Sequence, residues 1–329
     1  MSEQNDSMSR RQFLSTTGKI LTGAAVVVAL PPEVKAQAPA TRPASRSANT
    51  QAEKSPVKIL CIPYTSVEKD TTANVAGVLE IIDAEMAKER ADLVVLPELF
   101  TCGYAAPNLA PYAEPLKGPS FAKFKACSEK WDVLLGYGFA ECSGGDRVYN
   151  SWALLEPGKE PHVYRKTHLH PAAAGSPVNE PEFLLAGDKL EPFATRLGTL
   201  GVMICYDGCF VEVPRALALQ GAEIILWPTR SGSYLASRGY ARMRSLDNVV
   251  PIVQVEGGQK GSYFPMTSWS AVAIEGGKEI RSQKDSDAPF RVEIDLAGGR
   301  RLRAATDAGA LCLYRPRRPE LYGSITRVP

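Results

Sequence analysis

Leu200-Gly201-Val202-Met203-Ile204-Cys205-Tyr206-Asp207-Gly208 is the stretch on which the reading of the fold turns. An apolar run that breaks off at Cys205, followed by Val213, Leu217 and Gln220 at helical spacing, reads as strand, sharp turn and helix. Cys205 therefore stands at a strand tip, where the carboxyl end of a sheet opens into a crevice. A helix starting just beyond it offers unpaired N–H groups and a partial positive charge, and both favour thiolate over thiol. Two roles stay open on these residues alone: a nucleophile, or a small buried apolar residue, the commonest fate of a free cysteine.

Working outward, Val57–Ile62 reads as a strand and is followed by a helix capped at Asp70, Thr71 or Thr72, with an apolar stripe at Val75, Val78, Leu79, Ile82 and Met86. Asp92–Pro97 gives a second buried strand, and the strand, helix, strand order implies parallel pairing through a right-handed crossover. Glu98 follows at its tip. Trp131–Ala140 and Val148–Leu155 read as strands joined through Ser143-Gly144-Gly145-Asp146, and Val163-Tyr164-Arg165 leads to Lys166. An irregular segment with Gly175, Pro177 and Pro181 precedes the Cys205 strand. After it come a strand at Glu223–Trp227, a helix around Tyr240–Asp247, and strands at Pro251–Val255, Ser268–Ile274 and Arg291–Leu296. This alternation predicts an α/β fold of sheets covered by helices.

With 329 residues and 44% hydrophobic content, the chain is long and apolar enough to bury a large core. The N-terminus places Ser9-Arg10-Arg11-Gln12-Phe13-Leu14 ahead of an uncharged run from Ile20 to Leu30 and the small-residue site Ala36-Gln37-Ala38. That order is a signal peptide of the twin-arginine kind, so residues 1–38 are read as an export signal to the periplasm or beyond. Its apolar core is too short for a stable membrane anchor once the signal is cleaved. Residues 39–55, rich in Ala, Ser, Pro and Thr, read as a linker, and 56–329 as the folded domain. Beyond the signal, 34 basic residues face 33 acidic ones, which excludes nucleic acid as an electrostatically driven partner. The seven cysteines lack paired metal-ligand spacing and an even count, so neither a zinc ribbon nor a disulfide framework is indicated.

Three chemically useful groups now stand at strand ends: Glu98, Lys166 and Cys205. Leu96-Pro97-Glu98-Leu99-Phe100 with Gly103-Tyr104, then Tyr164-Arg165-Lys166-Thr167-His168-Leu169, then Gly201–Asp207, in that order, resemble the nitrilase (carbon-nitrogen hydrolase) superfamily. The resemblance runs from about Val57 to about Tyr322 and takes in Ala216–Glu223, Arg244–Asn248 and Arg317–Tyr322. It implies a four-layer α-β-β-α sandwich, often paired into a homodimer through helices flanking the sheets, and a catalytic triad of Glu98 as base, Lys166 as oxyanion stabiliser and Cys205 as nucleophile. The Tyr206 backbone N–H is implied as a further oxyanion donor. A fourth residue follows from the family's glutamate seven positions before the glycine of a Pro-Gly-Asp turn, here Ala186-Gly187-Asp188; this gives Glu180, ahead of its neighbour Glu182. Cys209 replaces a usual arginine or aromatic residue and either lines the pocket or packs in the core.

The reaction so implied is cleavage of a small-molecule amide or N-carbamoyl compound through a thioester, with no cofactor and no metal. Nitrile hydrolysis and acyl transfer use the same triad, and a silent exported binding protein would lack one of its members. Cys205-Tyr206-Asp207-Gly208 looks more like the amidase and carbamoylase branches than the nitrilases proper. A zinc site built on His162, His168 and His170 would need a further ligand, and Pro171 interrupts the stretch. Tyr104 and Tyr206 are candidates to line the pocket. Arg230, at the tip after Trp227-Pro228-Thr229, is expected either to pair with a substrate carboxylate or to lie in solvent.

Overall fold

The computed structural model describes residues 56–104, 107–172, 178–230, 238–259, 271–283, 286–308, 314 and 316–326, which belong to one compact unit spanning Ala52–Pro329. The expected export signal and linker lie outside the described residues, as do Gly175, Pro177 and the first residues of the strand expected at Ser268. In chain order the elements are β1 (Val57–Cys61), β2 (Tyr64–Ser66), α1 (Thr71–Lys88), β3 (Leu93–Val95), α2 (Pro119–Trp131), β4 (Leu134–Glu141), β5 (Val148–Leu155), β6 (His162–Arg165), α3 (Glu180–Phe183), β7 (Leu184–Leu185), β8 (Phe193–Thr195) and β9 (Gly198–Val202). They continue with α4 (Glu212–Leu219), β10 (Ile224–Thr229), α5 (Arg238–Asn248), β11 (Ile252–Gln259), β12 (Ala271–Glu275), β13 (Lys278–Gln283), β14 (Phe290–Ile294) and α6 (Leu296–Ala308).

Two seven-stranded sheets result. The first runs β14-β1-β3-β4-β5-β6 with β7 added beside β5; the second runs β13-β12-β11-β10-β9-β8 with β2 added beside β11. Alternate side chains of each strand serve different layers. Ile59, Leu93, Trp152, Val202, Leu226 and Val253 fill the space between the sheets. Leu60, Val94 and Leu135 turn the other way and pack with Val78, Ile82 and Phe124 of α1 and α2. Ile225, Trp227 and Ile252 do the same beneath Val213, Leu217 and Ala241 of α4 and α5. The architecture is thus the expected α-β-β-α sandwich, and burial on both faces is why its central strands are continuous apolar runs. Among the described residues no helix is long and apolar enough to cross a membrane.

Trp131 departs from expectation. It ends α2 instead of opening a strand, because Phe124, Cys127 and Ser128 bury one helical face and Asp132, at φ 47°, stops the helix in the left-handed conformation. Its strand begins only at Leu134. The helix start at Asp70 is as read, the carboxylate accepting from the Ala73 N–H at 2.9 Å.

Strand direction decides which residues can meet. β1, β3 and β4 are parallel, β5 reverses, and β6 reverses again, so the carboxyl ends of β3 and β6 share an edge. β9 and β10 are parallel in the other sheet, so Cys205 and Arg230 likewise leave one edge together. The turn bearing Glu98 lies flat against β4. A Cβ at Gly138 would stand 2.4 Å from the Pro97 carbonyl oxygen and 2.6 Å from the Leu99 nitrogen. Those are backbone atoms with nowhere to go. Gly138→Ala is therefore expected to lower the unfolding free energy by about 1–3 kcal/mol and to cut turnover with it. An unchanged urea midpoint would show that the turn has room to spare.

Candidate active site

Glu98, Lys166, Glu180 and Cys205 are all buried, and the structure brings them together. Lys166 leaves β6 with its N–H bonded to the Asn150 carbonyl at 2.8 Å and its own carbonyl accepting from Gly187 at 2.8 Å. The backbone is held on both sides, so the side chain enters the space between the sheets as a fixed arm. Its Nζ donates to Glu98 Oε1 at 3.1 Å and to Glu180 Oε1 at 2.8 Å. Glu98 Oε1 also accepts from Asn150 Nδ2 at 2.7 Å, while the buried Oε2 has no hydrogen-bond partner. That open oxygen is free to take a proton.

Glu180 opens the short helix α3. Its Oε1 accepts from the Tyr104 hydroxyl as well as from Lys166, and its Oε2 accepts from the His170 N–H at 2.6 Å. Glu182 instead accepts from Asn179 at the exposed side of the same turn. Of the two carboxylates, Glu180 is the one that meets Lys166. Tyr104 reaches the cluster by holding Glu180. Tyr206 is half-buried and sits edge-on to both His170 and Phe210.

Cys205 is 7% exposed and has φ 63°, a left-handed conformation that costs a non-glycine residue on the order of 1–3 kcal/mol. Around it the chain makes a 3-10 turn, Cys205–Cys209, and α4 begins only at Glu212. This corrects the expectation of an α-helix N-terminus directly behind the sulfur. The expectation of a thiolate fails with it. Burial pushes the thiol well above its ordinary value and Glu98 pushes it further, against the smaller opposing pulls of Lys166 and the Arg230 backbone N–H. Cys205 therefore rests as a neutral thiol. Burial disfavours the Lys166 ammonium, but Glu180 and Glu98 outweigh it and hold its pKa well above the usual lysine value. Burial and Glu180 likewise keep the Tyr104 hydroxyl protonated as a donor.

The carbon-nitrogen hydrolase family model matches residues 58–267, nearly two-thirds of the sequence. The chain belongs to the carbon-nitrogen hydrolase family. The hydrolase is 28% identical to an N-carbamoylputrescine amidase of Oryza sativa subsp. japonica, over 84% of this chain and 94% of that protein. It is 29% identical to a citrullinase of Francisella tularensis, over 78% and 94%. Its fold matches the crystal structure of a carbon-nitrogen hydrolase from Helicobacter pylori G27 with a TM-score of 0.70 at 22% identity, covering 83% of this chain and 99% of that one.

Several residues that hold the hydrolase's site together carried no assigned role in the sequence. Asp207 is fully buried two residues after Cys205 and accepts from Tyr164 Oη at 2.7 Å, Ile204 N at 2.8 Å, His168 N at 2.9 Å and Thr167 Oγ1 at 3.0 Å. One carboxylate so ties the cysteine turn to the lysine strand. Arg244 grips the same turn from α5, donating to the Gly208 carbonyl at 3.0 Å and the Cys209 carbonyl at 2.9 Å. Trp227 Nε1 donates to the Cys205 carbonyl at 3.0 Å, which helps fix the left-handed backbone. The histidines are dispersed: His162 stacks on Phe193, His168 on Phe210, and His170 meets Tyr206. Arg230 is not in solvent; it is 2% exposed and lies beside Glu98, Cys102 and Tyr104.

Proposed function

We propose that this hydrolase cleaves small amides or N-carbamoyl compounds through a Cys205 thioester, with Glu98 as general base and acid, Lys166 as oxyanion donor and Glu180 as the group that orients Lys166. The observation that carries the reading is the buried Lys166 ammonium bridging two carboxylates, one of which keeps an open oxygen and raises the pKa of the neighbouring Cys205 thiol. An amide is a poor electrophile, so attack must be coupled to loss of the thiol proton and to stabilisation of the forming oxyanion.

In the first half-reaction Glu98 takes the Cys205 proton as sulfur bonds to the carbonyl carbon, and the carbonyl electron pair moves onto oxygen. Lys166 and the Tyr206 backbone N–H donate to that oxygen; one such donor contributes about 3 kcal/mol to lowering the barrier. The carbonyl re-forms, the carbon-nitrogen bond breaks, and the proton held by Glu98 goes to the departing nitrogen. Ammonia or an amine leaves. In the second half Glu98 takes a proton from water, hydroxide adds to the thioester carbon, the carbon-sulfur bond breaks, and sulfur recovers the proton. A single carboxylate serves both halves because its two protonation states alternate.

Purified protein should release ammonia from at least one member of a panel of small amides, N-carbamoyl compounds and nitriles, with the first two preferred. Turnover of nitriles alone would overturn the amide reading. The signal-like N-terminus supports export through the twin-arginine pathway. Secreted or periplasmic protein should then start near Pro39, and replacing Arg10 and Arg11 together by lysine should leave the full-length chain in the cytoplasm. Unprocessed cytoplasmic protein from the unaltered sequence would refute export.

A further inference from the structure

Along β5, Trp152 and Leu154 face the space between the sheets and pack there with Cys205. Asn150, two positions before Trp152, faces the same space. Those neighbours show what packing alone would place in such a strand: an apolar side chain. A wholly buried asparagine destabilises the fold unless both ends of its amide are bonded. Here Nδ2 donates to Glu98 Oε1 at 2.7 Å, whereas Oδ1 has no hydrogen-bond partner among the described residues. The strand therefore holds an orphaned acceptor while keeping a donor on Glu98, and a side chain that lowers stability in this way marks a place where activity outweighs packing.

Asn150 touches both arms of the site. Its carbonyl accepts from the Lys166 N–H at 2.8 Å, and its side chain meets Glu98, so one strand position sets the base against the cation. Glu98 Oε1 then has two donors, Asn150 Nδ2 and Lys166 Nζ, the latter at 3.1 Å. Donors to a carboxyl oxygen lie near the plane of the group. Two of them, reaching Oε1 from β5 and from the end of β6, fix that plane and with it the direction of Oε2. Resting on the proposed amide reaction, we propose that Asn150 is a positioning residue: through Oε1 it holds Glu98 so that Oε2 alone takes the Cys205 proton and returns it. Oε2 is the buried oxygen left without a partner, and the neighbouring thiol is neutral, with a proton to give. Because Oε1 keeps both donors when Oε2 is protonated, the carboxyl does not turn over between steps. The same oxygen serves sulfur, the departing nitrogen and water.

Asn150→Leu isolates this role, since it keeps the size, removes the donor and leaves the main-chain bond to Lys166. Its kcat should fall by about 10²-fold with KM within about threefold of wild type, and its urea midpoint should not fall, because the orphaned Oδ1 goes with the donor. Asn150→Ser, short enough to admit a water that donates to Glu98 in place of the amide, should recover part of the rate. Alkylation by iodoacetamide reads loss of the thiol proton without turnover; it is followed on the Cys205 peptide by mass spectrometry because Cys142 is exposed. It should slow by about tenfold or more in Asn150→Leu and in Glu98→Gln, and no further when the two are combined. A leucine variant with wild-type kcat, a loss confined to KM, a urea midpoint that falls along with the rate, a serine variant no faster than the leucine one, or slowings that multiply in the double variant would each overturn the assignment. Should the leucine variant not fold, the serine variant carries the same comparison with Glu98→Gln. Alkylation unslowed by Glu98→Gln would defeat the proposed base and the reaction built on it, whereas slowing there with none in Asn150→Leu would defeat this assignment alone.

Discussion

Cys205→Ala should reduce ammonia release by about 10⁴-fold or more while shifting the unfolding free energy by no more than about 1 kcal/mol. Both halves of that expectation come from the geometry. Among the described residues Cys205 is the thiol that shares the buried cluster with Lys166 and Glu98, so in the proposed mechanism its loss removes the covalent route. The fold loses little: a neutral thiol disappears, not a charge, since burial and Glu98 keep Cys205 protonated. Alanine also carries a Cβ, so the strain at φ 63° is about the same. The same protonation makes Glu98→Gln nearly as damaging, because an uncharged amide cannot take the thiol proton. Ammonia-release assays beside urea unfolding separate the two effects. Retained turnover in folded Cys205→Ala protein would reject the thioester mechanism.

The parts of this site that were legible in the sequence were those with local causes. Apolar runs buried on both faces mark β1, β3, β9 and β10, and the chain breaks after three of them put Glu98, Cys205 and Arg230 at strand tips. Lys166 follows β6 for the same reason. What stayed hidden depends on distant neighbours. The three-residue strand β2 has no pattern of its own and is defined by pairing Tyr64–Ser66 with Gly257–Gln259 of β11. Trp131 lies at a helix end that reads equally well as a strand start until the left-handed Asp132 is known. The protonation of Cys205 was misjudged because a helix terminus can be read from spacing, whereas burial beside Glu98, past β3, and Glu180, at the start of α3, cannot. Asn150 is an inward polar residue in the apolar strand β5; that mismatch is a signal, but only the fold tells that it serves Glu98.

Lys166→Met should be the most destabilising single change in the site, by about 3–5 kcal/mol. The lysine side chain is fully enclosed and its Nζ is bonded to Glu98 and Glu180. A methionine of similar length fills the space but leaves two carboxylates facing one another in a dry pocket, with Asn150, Tyr104 and the His170 N–H as their remaining neutral donors. The cost arises from the stranded charges more than from the lost bonds. Adding Glu180→Gln to Lys166→Met removes one of those charges and should restore part of the stability. It should not restore turnover, since the oxyanion still lacks its cation, a loss of about 10²–10³-fold in rate. The folded-state pKa of Lys166 lies above its ordinary 10.5, so its contribution is complete below that value and fades only as pH rises through the folded pKa. The lysine's own contribution is therefore flat across neutral pH and is lost only in strong alkali. Urea unfolding of both variants together with ammonia release distinguishes a structural lysine from a catalytic one. Turnover regained in the stabilised double variant would mean that Lys166 merely keeps two carboxylates apart.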